Sequence, residues 1–67
     1  MIVLNGTAVE SPPDERLGTV LARLGVGART QGVAVAVDGE VVPRSRWQEF
    51  ELQERARVEV LGAMQGG

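Results

Sequence analysis

Apolar positions along the chain fall into short runs broken by turn residues, and the period of those runs changes once. Ile2-Val3-Leu4 runs into Asn5-Gly6, a pair that accepts positive φ at both positions and so predicts a tight hairpin, with Thr7-Ala8-Val9-Glu10 as the returning strand. Ser11-Pro12-Pro13 cannot extend a ladder, because proline has no N–H to donate. Leu17, Val20, Leu21 and Leu24 then follow the i, i+3, i+4, i+7 spacing of one helical face. Asp14 is placed to cap that helix, Glu15 suits its positive end, and Gly25 stands where a left-handed terminal residue is expected. Gly18 weakens the helix by about 1 kcal/mol relative to alanine, which suggests that something packs close against it.

The period then returns to that of a strand. Val33-Ala34-Val35-Ala36-Val37 reads as a strand buried on both faces and therefore central, a scaffold element. Asp38-Gly39 supplies a second hairpin signal, Glu40-Val41-Val42 a short strand ended by Pro43, and Arg44-Ser45-Arg46-Trp47 an irregular segment or single helical turn. Arg57-Val58-Glu59-Val60-Leu61 alternates valine with charge and forms the last strand. Strand, strand, helix, strand, strand, strand is the order of an α+β β-grasp, or ubiquitin-like, fold. It predicts a mixed sheet of about four to five strands with one main helix on one face. The last strand is expected beside the first. Residues 1–61 would form the domain and 62–67 a flexible C-terminal tail ending in Gly-Gly.

Composition narrows the chemistry. Sixty-seven residues allow a single small core and no deep substrate cleft. The chain has no cysteine, histidine, lysine or tyrosine, and its seven basic residues are all arginine. Ser11, Ser45, Thr7, Thr19 and Thr30 therefore have no neighbouring base of the usual kind to activate them. The nine carboxylates are scattered, with no close pair to serve as an acid–base couple, so catalytic residues and metal ligands are expected to be none. A net charge of −2 with two aromatic residues, Trp47 and Phe50, speaks against a nucleic-acid-binding surface, which needs a basic patch for the phosphates, so no nucleic-acid partner is expected. No segment has transmembrane length or the flanks of a signal peptide, so a cytoplasmic location away from membrane is expected.

What is left to react is the ending. Gly66-Gly67 carries no Cβ, so it makes a peptide thin enough to enter a narrow cleft, and the group it exposes is the backbone carboxylate of Gly67. Met64 suits either an adaptable partner groove or a place against the domain. Trp47 is expected as core or sheet-edge cover, and Arg44 and Arg46 as solvated or locally paired rather than partner contacts.

Over almost its whole length the chain resembles the ThiS family of bacterial sulfur carriers. The residues that carry this are Gly32 to Arg44 with Trp47, including Val42-Pro43-Arg44-x-x-Trp47, and the ending Val58 to Gly67. Two positions depart from the family pattern. Glu54-Arg55-Ala56 stands where many relatives have Gly-Asp before the last strand, and Asp38 stands where they often have Asn. The resemblance implies that Gly67 is adenylated at the expense of ATP by an E1-like enzyme such as ThiF, with Gly66, Gln65 and Met64 threading into partner active sites. A sulfur donor such as a cysteine desulfurase would then supply the sulfur of a thiocarboxylate, which thiazole synthase ThiG would take into the thiazole of thiamine. The chain itself would bind no cofactor and would not be an enzyme. Delivery to molybdopterin, cysteine or tRNA thiolation, attachment to other proteins, and a non-reactive β-grasp interaction module remain as alternative readings.

Overall fold

The computed structural model describes residues 1–12, 14–27 and 30–62. Among these, five strands and one α-helix form the fold: β1 (Ile2–Leu4), β2 (Thr7–Val9), α1 (Leu17–Arg23), β3 (Val33–Val37), β4 (Glu40–Val41) and β5 (Arg57–Gly62). A 3-10 turn spans Arg44–Arg46. The strands make one mixed sheet in the order β2-β1-β5-β3-β4. β5 pairs parallel with β1 and antiparallel with β3, while the two hairpins are antiparallel. This is the β-grasp arrangement.

Both hairpins turn as their sequences dictate. Asn5 and Gly6 sit at φ 48° and 85°, and Asp38 and Gly39 at φ 52° and 86°. Positive φ at both central residues gives turns whose twist matches that of the flanking strands.

The helix has seven residues, too few to be stable alone, and depends on its buried face of Leu17, Gly18, Val20 and Leu21. Leu24, the fourth residue of the expected stripe, is instead 46% exposed. It is the C-cap, where the backbone turns away from the core. Gly25 (φ 80°) ends the helix as expected: its N–H donates to the Ala22 carbonyl at 3.0 Å, and the Val26 N–H to the Leu21 carbonyl at 2.9 Å.

The start of α1 differs from the sequence expectation. The N-cap is Arg16 in extended conformation with no side-chain cap bond, and Asp14 lies outside the helix at φ 60°. Backbone carbonyls do the capping instead. Leu17 N–H donates to Phe50 O at 2.7 Å, and Gly18 N–H to Trp47 O at 2.8 Å. Glu15 likewise precedes the helix; it is buried, and its carboxylate pairs with Arg23.

The core lies between α1 and one face of the sheet. It contains Ile2, Leu17, Val20, Leu21, Val35, Val37, Val42, Trp47, Leu52, Ala56 and Val58. Trp47 is 3% exposed, and its indole N–H donates to the Val42 carbonyl at 3.0 Å. β3 is not buried on both faces: Val35 and Val37 are buried, Ala34 is exposed, and β3 lies next to the edge strand β4. The central strand is β5. The run of small apolar residues in β3 carries two alanines, Ala34 and Ala36, on the open face, where their small side chains expose little apolar surface.

Candidate functional site

Met64, Gln65, Gly66 and Gly67, the residues expected to carry the chemistry, lie outside the described residues. What the structure positions is their point of departure, the C-terminal end of β5.

That end is held mainly from one side. β5 matches β3 along its length, from Val37↔Val58 to Val33↔Gly62. Its register with β1 ends sooner, at Leu4↔Val58, because the chain turns back at Asn5-Gly6. Asn5 N–H donates to the Val58 carbonyl at 2.9 Å, and one further bond follows, from Val60 N–H to the Asn5 side-chain oxygen, also at 2.9 Å. At the opposite end of β5, the Asp38 carboxylate oxygen accepts from Arg57 N–H at 3.0 Å, and Asp38 N–H donates to the Arg57 carbonyl at 2.8 Å. Each hairpin turn therefore lends a side-chain acceptor to the central strand.

Alternation along the strands divides β5 between two environments. Val58 and Val60 face the helix, whereas Arg57, Glu59 and Leu61 are exposed on the open face. Leu61 is 62% exposed and sits opposite Ala34; Gly32, Val33, Ala34, Leu61 and Gly62 line a shallow hollow at the strand's end. Val41, opposite Ala36, adds a second exposed apolar side chain to this face. The departure point thus adjoins an open sheet face of small and aliphatic side chains edged by Arg57 and Glu59.

Arg44 and Arg46 are engaged locally, in line with the sequence reading. The Arg44 guanidinium lies 4.8 Å from the centre of the Trp47 ring and donates to the Gly27 carbonyl at 3.2 Å, while Arg46 pairs with Glu49 at 3.2 Å. Among the described residues, no group of three or more acidic, histidine or cysteine side chains could hold a metal ion. No helix among them is long and apolar enough to cross a membrane.

Sequence reasoning missed the side-chain bonds of Asn5 and Asp38 to β5. Asn-Gly and Asp-Gly are read locally, as turns, and nothing in the dipeptide reports a strand far along the chain.

Two solved structures share this arrangement. The crystal structure of the thiamine biosynthesis protein ThiS from Geobacter metallireducens is 28% identical, with a TM-score of 0.74 over 98% of this chain and 97% of that one. A solution NMR structure of a thiamine biosynthesis protein from the same organism is 27% identical, with a TM-score of 0.73 over 98% of this chain and 86% of that one. A search of curated proteins gave no match. The model of the ThiS family matches residues 2–67, taking in every strand, the helix and the terminal glycines. The chain belongs to the ThiS family.

Proposed function

We propose that this chain is a sulfur carrier of thiamine biosynthesis, with the Gly67 carboxylate as its reacting group. The observation that carries the reading is the family match, which runs through Gly66-Gly67 rather than stopping at the folded domain. The inventory of side chains supports it, since a chain without cysteine, histidine or lysine has few other groups to offer a covalent step.

A carboxylate is a poor acyl donor until one oxygen becomes part of a good leaving group. A ThiF-like adenylating enzyme supplies this with ATP: the Gly67 oxygen bonds to the α-phosphorus and pyrophosphate departs. The terminal sulfur of a donor persulfide, such as one on a cysteine desulfurase, then attacks the acyl carbon and displaces AMP, leaving an acyl disulfide. A thiol cleaves its S–S bond, forming a disulfide with the donor cysteine and releasing the thiocarboxylate. The resulting thiocarboxylate delivers its sulfur to a thiazole synthase of the ThiG type. The charge stabilisation that these steps need comes from the partners. This chain is their cosubstrate and holds no cofactor of its own.

Its contribution is reach and access. Five residues follow Gly62, so the carboxyl group extends at most about 17 Å beyond the sheet. Gly66 and Gly67 let that segment pass through a cleft too narrow for side chains. Met64 and Gln65 precede them and would line the entry.

Pyrophosphate exchange with the adenylating partner tests the reading. A chain lacking Gly67, and one carrying an extra residue after Gly67, should both lose exchange while keeping the thermal midpoint of the unaltered chain. Undiminished exchange by the extended chain would contradict it.

A further inference from the structure

Asn5 is accounted for as a turn former, and its backbone does that work at φ 48°. Its side chain does something else. On the β1 side, β5 is tied by Val3 N–H to Ala56 O and by Asn5 N–H to Val58 O, both at 2.9 Å. The chain then folds back into β2, leaving no β1 backbone to meet Val60. The Asn5 side-chain oxygen takes that place and accepts the Val60 N–H at 2.9 Å. Among the described residues, no hydrogen bond on this side of β5 lies beyond it. Val60 is thus the last two-sided anchor before Gly62, after which β3 alone holds the strand.

We infer that Asn5 is a positioning residue for the reacting group: its side chain holds β5 to the sheet at Val60 and so steadies the strand from which the chain continues to Gly67. The inference rests on the carrier reading above, because it assigns Asn5 a role in presenting Gly67 to the adenylating partner. With the Asn5 acceptor in place, β5 is held on both sides as far as Val60 rather than only as far as Val58. Without it β3 alone holds the strand beyond Val58, and fraying of that longer one-sided end lowers the fraction of encounters in which the chain can thread into the partner. Once the carboxylate is seated beside ATP, its geometry is set by the partner. Loss of the Asn5 acceptor should therefore appear in KM and not in kcat.

Two substitutions separate this role from turn formation. Asn5→Gly keeps a glycine pair suited to the turn and removes the acceptor; Asn5→Asp keeps both the turn preference and an acceptor oxygen. Amide hydrogen exchange by NMR and steady-state pyrophosphate exchange with the adenylating enzyme are measured on all three chains. In Asn5→Gly, exchange at Val60 should quicken roughly three- to ten-fold, the factor that one neutral hydrogen bond is worth, with Val35 and Val37 unchanged. The carrier KM should rise by a similar factor at constant kcat, and Asn5→Asp should behave as the unaltered chain in both measurements.

Uniform acceleration of all amides, an unchanged Val60, a fall in kcat at constant KM, or an Asn5→Asp chain as impaired as Asn5→Gly would overturn the inference. Absence of pyrophosphate exchange with the unaltered chain would instead remove the carrier reading, and the tail role with it, even where Val60 alone responds to the substitution.

Discussion

Replacing Trp47 with phenylalanine tests whether this residue is a structural pillar rather than a partner contact. The indole is 3% exposed, and its N–H is bonded to the carbonyl of Val42, itself in a buried residue. Phenylalanine removes the donor and leaves that carbonyl without its bond, at a cost of about 1–3 kcal/mol. It also withdraws two buried ring carbons. At about 0.8 kcal/mol for each buried carbon, this adds roughly 1.6 kcal/mol before any collapse of the space left behind. The sum is about 3–5 kcal/mol.

A domain of this size has a total stability of roughly 3–10 kcal/mol, at 0.05–0.15 kcal/mol per residue, so the loss takes a third of it or more. Urea unfolding followed by far-ultraviolet circular dichroism at 25 °C reads the change, since the chain's only tryptophan is lost as a fluorescent probe. The backbone should contribute too: the Trp47 carbonyl accepts from Gly18 N–H at the start of α1, so disorder around residue 47 should loosen that helix. A loss below about 1 kcal/mol would refute the reasoning and return Trp47 to the list of possible recognition residues.

Other substitutions probe the turns and the helix. Arg55 holds φ 66° in the turn closed by Ala56 N–H to Gln53 O at 3.0 Å, so Arg55→Gly should relieve about 1–2 kcal/mol of left-handed strain. It should return less than 1 kcal/mol of that through the freer unfolded chain, for a net gain of about 0.5–1 kcal/mol; an unchanged urea midpoint would show that the turn carries no strain. A methyl group added at Gly18 would lie 3.0 Å from the side-chain amide of Gln48, an exposed residue free to swing aside. Gly18→Ala should therefore stabilise the chain by up to about 1 kcal/mol, and more so with Gln48→Ala; a loss that Gln48→Ala does not relieve would place the obstruction in the backbone.

The parts of this fold that could be read from the sequence are those decided by neighbours in the chain. Asn5-Gly6 and Asp38-Gly39 each need two positive φ angles, and no distant contact is required to know it. Gly25 is equally local, as are Leu17, Val20 and Leu21. The start of α1 was misread because its cap comes from the carbonyls of Trp47 and Phe50, some thirty residues away. Asp14 had the right chemistry in the wrong place. Val33 to Val37 looked buried on both faces because alanine in a strand is silent about exposure; Ala34 and Ala36 tolerate the open face without seeking it.

The site was legible in a different sense. Gly66-Gly67 stands out because so little else in the chain can react, and that argument needs no coordinates. The bond from Val60 to Asn5 had no such signal, since one side chain serves a local turn and a distant strand together.

The central claim is that Gly67 carries sulfur. The most direct test is the intact mass of the chain after incubation with ATP, a ThiF-like adenylating enzyme, a persulfide donor and a thiol reductant. The account predicts exchange of one oxygen for one sulfur, located by fragmentation at Gly67 and absent when ATP is withheld. An unchanged mass, with the partner enzymes shown to be active on another carrier, would contradict it.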